Sequence, residues 1–65
     1  MQILVNDETR QIRNRLLSDI LVELGYGDSR VATALDGVFV PRSARAGKMV
    51  EEGARLEILA PMQGG

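Results

Sequence analysis

The sequence predicts an α+β fold, a five-strand sheet with one helix on one face, and three observations predict it. Leu17, Ile20, Leu21 and Leu24 fall at i, i+3, i+4 and i+7, which gathers them on one helical face. Short apolar, β-branched runs flank that segment on both sides. Asp36-Gly37, set between two such runs, is a strong two-residue hairpin signal.

In chain order, Met1-Gln2-Ile3-Leu4-Val5 reads as a strand, and Asn6-Asp7-Glu8 turns it back. Thr9 to Arg13 is the expected return strand, polar and Arg-rich as an exposed edge should be. The helix is expected to begin near Arg15, with Asn14 or Ser18 as its cap. Asp19 and Glu23 take its outward side. Gly25 and Gly27 end it, since either can adopt the left-handed conformation of a C-terminal cap. Val31 to Leu35 and Val38-Phe39-Val40 form a hairpin that Pro41 stops, because proline has no N–H for the ladder. Ser43 to Val50 reads as a helical turn and connection, and Glu52-Gly53 leads into the last strand, Arg55 to Ala60. Residues 1–61 are thus expected to be one domain, and 62–65 a flexible tail.

One helix cannot cover both faces of such a sheet, so one face is expected to stay open. Strand alternation directs Ile3 and Val5 inward and Leu4 outward. It likewise directs Leu56, Ile58 and Ala60 inward, with Glu57 and Leu59 outward. If the first and last strands are neighbours, Leu4 and Leu59 share the open face.

Composition removes several classes of function. The chain has 65 residues and neither Cys nor His, so disulfides, the usual soft metal ligands, a thiol nucleophile and the commonest general base are all missing. A free-standing enzyme is not expected. The net charge is −1, from eight Lys+Arg and nine Asp+Glu scattered along the chain, so no basic stripe points to nucleic acid. No apolar run is long enough to span a bilayer and no signal-peptide layout begins at Met1, so a cytosolic protein is expected.

What remains is the ending Pro61-Met62-Gln63-Gly64-Gly65. A terminal Gly-Gly arises by chance in about 0.5% of chains, so the pair alone is a weak signal. Its place directly after a strand and a proline gives it more weight. Pro61 stops pairing and aims the tail away from the sheet.

Three blocks then carry a family resemblance. They are Met1-Gln2-Ile3-Leu4-Val5-Asn6, Asp36-Gly37-Val38-Phe39-Val40-Pro41-Arg42, and Leu56-Glu57-Ile58-Leu59-Ala60-Pro61-Met62-Gln63-Gly64-Gly65. With the helix-face leucines, they make the chain resemble, over essentially its whole length, the ThiS family of thiamin-biosynthesis sulfur carriers. That family lies within the ubiquitin-like β-grasp group. The chain departs from the family pattern at Gln11 to Leu16, which lacks a threonine or glycine-threonine, and at Asp36, usually Asn. Both departures concern turns and caps.

The resemblance implies a β-grasp fold with a mixed sheet, and a two-stage activation. A ThiF-like adenylyltransferase, using ATP and Mg, would join the Gly65 carboxylate to AMP. Sulfur from a cysteine-desulfurase persulfide or another donor would then leave a thiocarboxylate for thiazole synthase, ThiG. The chain itself would bind no cofactor and would be a monomer when free. The residues suit this chemistry. A carboxylate is a poor electrophile, a mixed anhydride with AMP supplies a leaving group, and the sulfur must come from elsewhere. Gly65 leaves its carbonyl uncrowded, and Gly64, with Gln63, Met62 and Pro61, threads past a partner's wall.

Leu4, Leu59 and Met62 are the candidate docking patch beside the tail, with Met62 able to adapt to more than one surface. Arg42, Arg45 and Arg55 could form salt bridges with a partner's carboxylates, but solvated surface charge is the expected reading. Other readings are the small subunit of molybdopterin synthase, a modifier conjugated through Gly65, and an inert interaction module.

Overall fold

A computed structural model describes residues 1–27 and 29–60. The elements run β1 (Gln2–Val5), β2 (Glu8–Gln11), α1 (Leu17–Glu23), β3 (Ala32–Leu35), β4 (Val38–Val40), a 3₁₀ helix (Arg42–Gly47) and β5 (Arg55–Leu59). They form one five-strand sheet in the order β2-β1-β5-β3-β4. The sheet is mixed: β1 and β5 run parallel, and the other pairs are antiparallel.

Both hairpins turn on two residues with positive φ. Asn6 and Asp7 stand at 50° and 68°, Asp36 and Gly37 at 51° and 85°. Positive φ at both central positions is the type I′ geometry, whose twist matches that of the flanking strands. The turns set the register, with Val5 opposite Glu8 and Leu35 opposite Val38.

Helix α1 starts at Leu17 rather than near Arg15, and neither Asn14 nor Ser18 caps it. Tertiary hydrogen bonds replace the local cap. The Leu17 N–H donates to Lys48 O at 2.9 Å, and the Val50 N–H to Arg15 O at 2.7 Å. This pairing of Leu16 with Met49 holds Leu16 extended and delays the first turn. The other end follows expectation at Gly25 (φ 93°). Tyr26 N–H reaches Leu21 O and Gly25 N–H reaches Val22 O, which together make a Schellman cap.

The core lies between α1 and one face of the sheet. Leu17, Ile20 and Leu21 pack there with Ile3, Val5, Ile12, Leu35, Val40, Val50, Ala54, Leu56 and Ile58. Leu24 is half-buried against that core.

Several expected limits shift. The return strand β2 ends at Gln11, because Arg13 and Asn14 turn their N–H groups to the Glu23 carboxylate at 3.0–3.1 Å. Strand β5 ends at Leu59, so Ala60 lies beyond the ladder and is exposed rather than inward. Arg45 is not solvated surface charge. It is 8% exposed, with Nε donating to Thr33 Oγ1 at 3.1 Å and Nη2 donating to Val31 O. Its fork satisfies groups at the start of β3 from the 3₁₀ helix.

Candidate functional site

Strand β5 carries the chain toward its end from the middle of the sheet, and the structure shows how it is held. On one side β3 pairs along it, from Leu35 opposite Leu56 to Ala32 opposite Leu59. On the other side β1 reaches only Val5 opposite Leu56 before its hairpin turns away. The Asn6 side chain continues the ladder from there. Its Oδ1 accepts the Ile58 N–H at 2.8 Å and its Nδ2 donates to Ile58 O at 3.1 Å. One side-chain amide therefore stands in for a peptide unit that β1 no longer supplies. The last buried side chain of β5, Ile58, is thus clamped on both flanks.

The residues 61–65, where Pro61, Met62, Gln63, Gly64 and Gly65 were singled out, lie outside the described residues. Leu4 and Leu59 are within them. Both point to the open face, since their neighbours Ile3, Val5 and Ile58 are buried. They are not adjacent. Leu4 is half-buried opposite Arg55, and Leu59 stands four residues farther along β5, about 13 Å at a strand's rise.

Closer to Leu59 the open face is apolar on its other side. Phe39 of β4 pairs with Ala34, and Ala34 pairs with Glu57, one outward position from Leu59. Ala32 lies directly opposite Leu59. Phe39 and Leu59 are 65% and 67% exposed, so each presents most of its surface to solvent. The sequence marks Phe39 as a strand residue and as part of the Asp36–Arg42 block, and its place between inward Val40 and the Asp36-Gly37 turn is enough to set its facing. Beyond turn chemistry and the Met1–Asn6 block, nothing in the sequence points to the clamping role of Asn6, because its hydrogen bonds span 52 residues of sequence.

Charge at the two ends of β5 differs. At its start Arg55 and Asp7 make an exposed ion pair at 3.8 Å. At its end an open groove of about 370 Å³ runs past Leu59 and Ala60, with Arg30, Arg42 and Arg45 among its lining. Among the described residues no group of three His, Cys, Asp or Glu is placed to hold a metal ion, and no helix is long and apolar enough to cross a membrane. The surroundings of β5 therefore offer hydrogen-bonded support, an apolar face and guanidinium groups. This arrangement suits presenting a chain end to another protein.

The fold is similar to a crystal structure of the thiamine biosynthesis protein ThiS from Geobacter metallireducens, with a TM-score of 0.83 and 25% identity over 100% of both chains. Topology and likeness together make it a β-grasp fold. No curated protein matches the chain. A family model does match, that of the ThiS family, over residues 3–65. Covered from Ile3 to Gly65, the chain belongs to the ThiS family.

Proposed function

We propose that this protein is a sulfur carrier of thiamin biosynthesis whose working group is the Gly65 carboxylate. The observation that carries the reading is the ThiS family match, which runs through Gly64-Gly65. The placement of β5 supports it. A central strand, paired with β3 and clamped by Asn6, is a rigid base from which a partner can draw the last residues.

The chemistry then proceeds in steps supplied by partners. A ThiF-like adenylyltransferase aligns ATP, with Mg, so that a Gly65 carboxylate oxygen attacks the α-phosphorus and pyrophosphate leaves. A persulfide sulfur, from a cysteine desulfurase or an equivalent donor, attacks the acyl carbon and AMP leaves. A thiol cleaves the resulting acyl disulfide, and the thiocarboxylate passes its sulfur to thiazole synthase, ThiG. Lacking Cys and His, the carrier contributes no thiol or imidazole to these steps. It is a co-substrate rather than the catalyst, it works in the cytoplasm as a monomer when free, and residues 62–65 serve as the handled segment beyond a 1–61 domain.

Intact mass spectrometry tests the reading. After incubation with the adenylyltransferase, ATP and a sulfur donor, one oxygen at Gly65 should be exchanged for sulfur. An unchanged mass would sink the carrier reading, and isopeptide-linked products would indicate a modifier. Charged carrier that supports molybdopterin but not thiazole formation would move it to the other sulfur-carrier pathway.

A further inference from the structure

The end of β5 is the place where any enzyme drawing in the tail must pass, and three arginines line the groove beside it. Arg30, Arg42 and Arg45 line the groove together with Leu59, Ala60 and apolar Val31. Among the described residues no carboxylate belongs to that lining. The whole chain, by contrast, is nearly balanced at −1, so this concentration of guanidinium is local.

Arg45 makes the groove a built feature rather than a chance meeting of mobile side chains. Its stem is buried, and its bonds to Thr33 Oγ1 and Val31 O fix the guanidinium at the groove's wall. Arg30 and Arg42, which also line the groove, are exposed and can turn their planar forks toward an incoming surface. Covering such a cluster with an apolar or basic surface would strip water from the charges without compensation. Carboxylates compensate and pair with a guanidinium through two parallel hydrogen bonds.

We propose that this groove docks an acidic segment, Asp or Glu side chains on the enzyme that adenylates the tail. The proposal rests on the carrier reading above. A nucleotide phosphate fits less well, because the five residues from Pro61 to Gly65 reach about 17 Å when extended. A tail drawn straight into the enzyme therefore carries its reacting carboxylate, and the ATP it meets, away from the groove.

The test is the affinity of the full chain for the ThiF-like adenylyltransferase at low and high salt. The double variant Arg30→Glu/Arg42→Glu is compared with the remote Arg10→Glu/Arg15→Glu, which changes net charge equally. All four side chains are exposed, and thermal melts confirm that both variants fold. Arg30→Gln/Arg42→Gln serves as a neutral third variant should reversal disturb folding. The groove reversal should weaken binding about tenfold or more at low salt, with the gap narrowing as salt rises, while the remote pair stays near wild type. A loss below tenfold, or an equal loss in the remote variant, overturns the acidic docking segment while leaving the carrier reading intact. A wild-type chain that neither binds nor is adenylated overturns both.

Discussion

Thr33 relays hydrogen bonds in two directions beneath the sheet. Its hydroxyl donates to Val40 O at 2.8 Å and accepts from Arg45 Nε at 3.1 Å. Thr33 is 1% exposed, so water cannot replace a lost partner. Thr33→Val keeps the shape but orphans the buried Arg45 Nε–H and removes the hydroxyl's bond to Val40 O. It should lower unfolding free energy by about 1–3 kcal/mol in urea titration. Arg45→Met on the Thr33→Val background should cost less than the sum of the two single changes, because the relay has already been broken. Gly65 belongs to the same scale for a different reason. Gly65→Ala adds a methyl group beside the proposed reacting carbonyl, and should slow adenylation while leaving the melting temperature unchanged. Wild-type adenylation by that variant would remove crowding as the reason for glycine there.

At the scale of elements, β5 depends on a residue that belongs to neither of its neighbouring strands. Asn6 occupies the left-handed region, φ 50°, while its amide completes the ladder to Ile58. Asn6→Gly separates these roles, since glycine tolerates the backbone angle and lacks the amide. The variant should lose about 1–3 kcal/mol of stability, and hydrogen exchange at the Ile58 amide should accelerate more than at Leu35.

Helix α1 has a comparable outside contact. The Glu23 carboxylate accepts N–H bonds from Arg13 and Asn14, and a 2.8 Å bond from the Asn14 side chain. The Arg13 N–H bond is the leading cause that holds the Glu23 pKa below the usual glutamate value, with Asn14 and the Arg13 charge adding to it. A pKa lowered by folding gives stability above the unfolded value, which is lost as pH falls through the native one. Acidification through and below the glutamate range should therefore shift the Arg13 and Asn14 amide resonances together. In Glu23→Gln that transition should vanish.

At the scale of the whole molecule, the sheet has a helix-covered face and an open one, and the open face is uneven. Phe39, Ala34, Ala32 and Leu59 make its apolar side near the end of β5, while Leu4 sits beside Arg55 toward the other end. Phe39→Glu and Leu59→Glu should each weaken binding to the adenylyltransferase about tenfold or more while changing the melting temperature little, because both side chains are already mostly in water. Leu4→Glu should have the smaller effect on binding and the larger on stability, being half-buried. Calorimetric titration with parallel melts separates these outcomes.

The legible parts of the fold were those with short-range causes. Leu17, Ile20 and Leu21 took the inner face from helical spacing alone, Asp36-Gly37 made its hairpin, and Gly25 closed the helix. The alternation of Ile3, Leu4 and Val5, and of Leu56, Glu57 and Ile58, placed each side chain on its proper face. The start of α1 was not legible, because Lys48 and Val50 supply the bonds that a local cap would have made. Arg45 was misplaced for the same reason. Charge argues for solvent, and only the approach of β3 gives its guanidinium buried partners.

The sequence by itself determined the ββαβββ order, the inward and outward faces of β1 and of β5 as far as Leu59, and a chain end lacking any thiol or imidazole of its own. These follow from periodicity, turn chemistry and residue types, which act over a few positions. Only the tertiary structure decided that Asn6 clamps β5, that Phe39 joins Leu59 on the open face, and that arginines from separate segments line the groove at the strand's end. Those arrangements bring together residues far apart in the chain, and no local pattern records which distant partner a side chain will meet.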